Sequence, residues 1–105
     1  MAVIVKSEIT ITKGFETWKA MVKKNQGQMK EMGMVMLFAG VQKDDPTKLH
    51  AILKFPNIET LQAFGANAEL TEERRQAGAV IESAVMTIIS EEEYLTNFPE
   101  PFVKN

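Results

Sequence analysis

Residues 49–64, LHAILKFPNIETLQAF, cut an alternating strand with Pro-Asn and pass at once into a helical pattern. Leu49, Ala51, Leu53 and Phe55 fall on one side and His50, Ile52 and Lys54 on the other, because successive strand side chains point to opposite faces. Pro56 lacks an N–H and biases Phe55 towards extended conformations, while Asn57 can accept hydrogen bonds from the first free amides of a helix. Ile58, Leu61 and Phe64 then recur at helical spacing, so this helix can fold its apolar stripe back on to the sheet. The rest of the chain repeats or completes that strand-to-helix unit.

Residues 3–12 alternate more cleanly still, with Val3, Val5, Ile9 and Ile11 against Lys6, Glu8, Thr10 and Thr12, which predicts a long strand with one buried face; Ser7 is the exception to the pattern. Thr12 is placed to cap a helix whose stripe is Phe15, Trp18, Val22 and Met29, with Met21 and Met32 beside it and Lys19, Lys23, Lys24 and Lys30 on the wet side. Gly27 weakens this helix and marks a bend, and Gly33 ends it. Residues 34–41, MVMLFAGV, are apolar on both sides, and the Asp-Asp-Pro-Thr of 43–48 predicts a turn that pairs them with the strand from Leu49. A second helical segment over 69–77, with Thr71 as cap, stops at Gly78, and residues 80–89 make a fourth strand. Ser90-Glu91-Glu92-Glu93 matches a capping box, so 91–105 reads as a short helix followed by a proline-bearing arm over 99–105.

At 105 residues the chain is one domain with one core, 1–105. The order βαββαβ is the ferredoxin-like arrangement: α+β, a four-stranded antiparallel sheet with its two main helices on one face. If each strand turns its more apolar side to the helices, the other face carries Lys6, Glu8, Thr10, His50, Ile52 and Lys54. Glu82 joins them, because burying a carboxylate beneath helices costs more than burying Ser83 and Thr87, and strand parity brings Ala84, Met86 and Ile88 with it. That face is too apolar for a monomer to leave in water, and a second copy is the simplest cover.

In this element order, in the Phe15/Trp18 first helix and in LHAILKFPNIETLQAF followed by VIESAVMTIIS, residues 2–92 resemble the dimeric α+β barrel superfamily. There, two ferredoxin-like sheets pack face to face; its members include antibiotic-biosynthesis-type monooxygenases and stress-responsive barrel proteins. The resemblance implies a homodimer, and it brings no catalytic motif, since fold alone does not give function.

Composition excludes several classes. A net charge of -2 with acids and bases interspersed gives no general attraction for nucleic acid, and no apolar run approaches the roughly 20 residues of a membrane helix. With no cysteine there is no thiolate metal site or redox couple, and MAVIVKSEITI does not look like a signal peptide, so a cytoplasmic protein is expected. One histidine and no clustered carboxylates on a helical face leave no metal shell, and singly scattered glycines make no phosphate loop, so no cofactor is expected.

His50 is placed to face the barrel interior with Lys54, Lys6 and Glu82 in reach, where it can act as a base or donor near neutral pH; a lone strand histidine more commonly makes a polar contact in a sheet or interface. Glu82 is either a carboxylate beside a cavity or the ion-pair partner of Lys6 or Lys54. Met34 and Met36, like Met21, Met29, Met32 and Met86, are either core filling or an adaptable lining for an oily ligand, and Trp18, Phe38 and Phe64 mark a cleft between helices and sheet. The leading expectation is a homodimer binding a small, mostly apolar molecule in the barrel interior or in that cleft. The alternatives are a cofactor-independent monooxygenase- or isomerase-like enzyme, with His50 and Glu82 in proton transfer, and a purely structural dimer.

Overall fold

A computed structural model of the chain describes residues 2–95. Strand β1 (Val3–Ile11) leads into helices α1 (Phe15–Lys24) and α2 (Gln26–Glu31); β2 (Val35–Gln42) and β3 (Asp45–Phe55) form a hairpin; α3 (Ile58–Ala66) and α4 (Ala68–Gln76) cross back to β4 (Ala79–Ser90). The four strands form one antiparallel sheet in the order β2-β3-β1-β4, an α+β architecture of the ferredoxin-like kind. Among the described residues no helix is long and apolar enough to cross a membrane.

The central strands keep the parity read from their sequence. Val3, Val5, Ile9 and Ile11 of β1 and Leu49, Ala51, Leu53 and Phe55 of β3 are all buried, and one core gathers them with Trp18, Met21, Val22, Met29, Phe64 and Leu70 from the helices. The switch after Phe55 also forms as expected: the Asn57 side chain accepts the Thr60 N–H at 2.8 Å and starts α3.

Other local expectations are corrected. Thr12 is not a cap; its N–H and its hydroxyl both donate to the Gly78 carbonyl, at 2.8 and 3.1 Å, tying the end of β1 to the start of β4, and Gly14 takes the N-cap position of α1. Gly78 itself has φ +100, and a Cβ there would meet the Lys13 backbone nitrogen at 2.8 Å, so this junction admits glycine alone. The first helical layer breaks at Asn25, not at Gly27, where the Asn25 amide leaves the helix to donate to the Met21 carbonyl and to Glu73 Oε1. Asn67, not Thr71, caps α4, accepting the Leu70 N–H at 3.0 Å. The hairpin turn is tighter than expected, since β3 already begins at Asp45; Pro46 is accommodated because pairing with β1 starts only at Lys48. Residues 91–95 form a bend instead of the expected helix: Ser90 Oγ donates to the Glu93 carbonyl and does not accept its N–H, so no capping box forms. The rest of the expected arm lies outside the described residues.

The fourth strand overturns the parity expected of it. Between the pairs Glu8↔Val85 and Thr10↔Val80, β1 advances two residues while β4 advances five. The Ser83 hydroxyl sits in this bulge, accepting the Thr10 N–H at 2.9 Å and donating to the Val80 carbonyl at 2.6 Å in place of a ladder bond. An odd surplus of residues exchanges the faces. Ala84 therefore packs on the core and Ile88 pairs with core-facing Val5, while Val85 and Thr87 stand on the open face opposite Glu8 and Lys6. In β2 an extra residue between Met36↔Leu53 and Phe38↔Ile52 does the same, and sends Phe38 to the open face.

Candidate functional site

A row of side chains crosses the sheet on its helix-facing side: Ala39 of β2 opposite Ala51 of β3, Ala51 opposite Ser7 of β1, and Ser7 opposite Met86 of β4. Three of the four are small, so the sheet is shallow at its centre. A cavity of about 40 Å³ lies there, more space than one water needs.

Its floor is Ser7, Ile9, Leu49, Ala51 and Leu53. Trp18, Met21 and Val22 of α1 and Met29 of α2 cover it from one side, and Phe64 of α3 and Arg74 of α4 from the other. Met34 and Met36 close the β2 end and Met86 the β4 end. The aromatic walls are braced by neighbours: Trp18 stacks on Phe15 with centroids 6.1 Å apart, and Phe64 tilts against Phe55 at 5.7 Å.

Two polar groups interrupt the apolar lining. Ser7 makes no side-chain hydrogen bond among the described residues. The Arg74 guanidinium stands 5.2 Å from the centre of the Phe64 ring, and among the described residues it has no hydrogen bond and no carboxylate within 4.0 Å. Burial pushes its pKa below the usual arginine value; an arginine nevertheless stays charged in a protein. Its neighbour Arg75 instead pairs with Glu72 at 3.1 Å and approaches Glu82 at 3.9 Å.

Of the residues singled out in the sequence, Trp18, Met34, Met36 and Phe64 meet in this cavity. Phe38 does not; it lies on the opposite face of the sheet, its ring over Gly40. Lys6, His50 and Lys54 are also on that open face, as expected from parity. His50 Nε2 lies 2.9 Å from Gln42 Oε1, and its Nδ1 3.8 Å from Glu8 Oε1, so its polar contacts are made within the sheet. Glu82 is corrected: it is 77% exposed at the β4 bulge, its ion-pair contact is with Arg75, and no hydrogen bond or ion pair links it to His50, Lys6 or Lys54. Among the described residues no three His, Cys, Asp or Glu side chains gather as a metal shell.

Arg74 is not among the residues that the sequence motifs single out, although the sequence carries a signal for it. Leu70, Arg74 and Ala77 fall at i, i+4 and i+7, and the first and last are buried, so a cation occupies the inward stripe of α4. Ser7 carried the corresponding signal in β1 as the polar break on the buried side.

The family model described as "Domain of unknown function (DUF3764)" matches residues 3–91. The chain belongs to this family. The DUF3764 match runs from the first residue of β1 to just beyond β4, so every residue lining the cavity falls within it. Comparison with curated proteins and with solved structures yields no significant match.

Proposed function

We propose that this DUF3764 chain binds a small, mostly apolar molecule in the cavity between its helices and its sheet, and that it does so as a homodimer whose open sheet faces pack together as in a dimeric α+β barrel. The observation that carries the ligand reading is the wall itself: five of the seven methionines, Met21, Met29, Met34, Met36 and Met86, surround one unfilled space. Methionine has three rotatable bonds and a polarizable sulfur, so a wall made of it can retract to admit a ligand larger than the resting space. A predominantly apolar concavity with a few converging polar groups is the usual make-up of a small-molecule site.

The second copy is supported by the other face, where Phe38, beside Ile52, is 46% exposed and Val85, beside Glu8, is 62% exposed. Lys6 and Lys54 share that face with Glu8. The charges lie on the central strands, with Phe38 and Val85 on the two edge strands, and a face carrying both signs of charge together with apolar side chains can pair with itself about a two-fold axis.

The ligand reading is tested with methyl-labelled methionine in the full chain. Titration with a small apolar probe such as indole should move the resonances of the five lining methionines and leave that of Met32, which does not line the cavity, in place. Native mass spectrometry of the purified protein should show retained small-molecule mass. A spectrum unmoved by apolar probes, together with a consistently empty protein, would defeat the proposal.

A further inference from the structure

Resting on the reading of the cavity as a ligand site, we infer that its ligand is a small apolar carboxylic acid bound as the anion, with its carboxylate on the Arg74 guanidinium and its carbon skeleton among the methionines. Arg74 is the one charged residue of the lining among the described residues. Its position is inward, between Leu70 of α4 and Ala77 at the helix C-cap, both buried, and it lies over the Phe64 ring. A guanidinium presents five N–H donors in a planar fork and accepts nothing, so a half-buried one without an acceptor among the described residues is suited to receive an anion.

The acids that could have served it are committed elsewhere. Glu73 holds Lys24 at 3.2 Å and accepts from the Asn25 amide at 3.2 Å, Glu72 holds Arg75 and Gln76, and Glu82 faces Arg75. Arg75, one residue along, shows what an arginine does when it serves only the outer surface of this helix. Arg74 sits instead where the chain places its methionines.

The charge count selects the head group. One cation, with no second basic side chain in the lining among the described residues, matches a single negative charge, and the guanidinium fork fits a carboxylate through two parallel hydrogen bonds. A phosphate dianion would leave about one charge uncompensated in an apolar wall, at a large desolvation cost. The Ser7 hydroxyl is the other free polar group of the lining and can donate to a ligand oxygen.

The test compares 4-methylpentanoate with 4-methylpentan-1-ol, the same skeleton with and without the charge, in titrations followed by the methionine methyl resonances at about pH 7, where the acid is ionised. The full chain is used as wild type, Arg74→Gln and Arg74→Lys. The acid should bind the wild type more tightly than the alcohol, and Arg74→Gln should weaken the acid by about 10- to 100-fold, the span expected for a lost charge-assisted hydrogen bond, while leaving the alcohol within about threefold. Arg74→Lys should restore part of the preference, because it keeps the charge without the fork. Alcohol affinity retained by Arg74→Gln shows that the variant is folded. Equal affinity of the two probes for the wild type, or an acid affinity unchanged by Arg74→Gln, overturns the carboxylate inference and leaves the cavity as an apolar site. Binding of neither probe overturns the inference together with the ligand reading on which it rests.

Discussion

Ser7 and Ala51 stand directly opposite each other in the β1–β3 ladder, both on the side that faces the helices, and the cavity lies over the pair. The space thus arises from two small side chains at the centre of the sheet. Enlarging one of them should close it. Ala51→Leu is expected to abolish probe uptake, with a stability change of about 1–3 kcal/mol or less as the methionines repack. Ser7→Ala acts oppositely: among the described residues the hydroxyl has no hydrogen bond to lose, so stability should hold or rise by up to about 1 kcal/mol. Urea denaturation with probe titration reads both, and a Ser7→Ala protein destabilised by much more than that would reveal a bonded hydroxyl.

The bulge in β4 has its own energetic signature. Ser83 replaces a ladder partner for the Thr10 N–H and at the same time anchors the Val80 carbonyl. Removing the hydroxyl leaves a part-buried amide without its acceptor, so Ser83→Ala should cost about 1–3 kcal/mol. Hydrogen exchange should accelerate at the Thr10 amide in particular. An unaltered Thr10 exchange rate would mean that the bulge is held by something other than this side chain.

This bulge also marks where the chain stops being legible as sequence. Alternation read the central strands correctly because β1 and β3 pair without interruption from Val3↔Phe55 to Thr10↔Lys48. Asn57 was legible because an amide two residues after a strand and before Ile58 has a single local use. Parity cannot cross a bulge, however, and the ladder of each edge strand carries two register shifts, one of which puts Met86 on the core side of β4 and another Phe38 on the open face of β2. The cavity was half visible, in Trp18, Met34, Met36 and Phe64, and its charged member was missed because Arg74 sits beside Arg75 and reads as part of a basic helix end, where cations are favoured anyway. Only the burial of Leu70 and Ala77 on either side of it distinguishes the two arginines.

Glu73 should make part of the fold's stability depend on pH. Its pKa in the folded protein is lowered, first by the hydrogen bond from Asn25 and then by that from Lys24. A carboxyl whose folded pKa is depressed stabilises the fold while ionised in both states, above the unfolded value of about 4.3, and that contribution is lost as pH falls through the lower folded value. Glu73→Gln should therefore be less stable than the wild type near neutrality, and the gap should narrow through the acid range. A gap that stayed constant with pH would assign the effect to the hydrogen bond alone and not to the charge.

The assembly prediction turns on Phe38. Its ring lies over Gly40 on the open face, 46% exposed in the single chain and outside the core that Trp18, Leu53 and Phe64 build on the other side of the sheet. A lysine there has room in a monomer and adds no buried charge to the core. In a face-to-face dimer the same lysine would be enclosed, at a cost of several kcal/mol. Sedimentation of the wild type at about 10 µM, a concentration at which a specific interface of standard size is normally formed, should therefore show a dimer, and Phe38→Lys a folded monomer with an unchanged helical spectrum. Because the methionine cavity lies wholly on the other side of the sheet, Phe38→Lys should also retain probe binding, which separates assembly from ligand uptake in one variant. A wild type that sediments as a monomer, or a Phe38→Lys protein that still dimerises, would remove the open face as the interface.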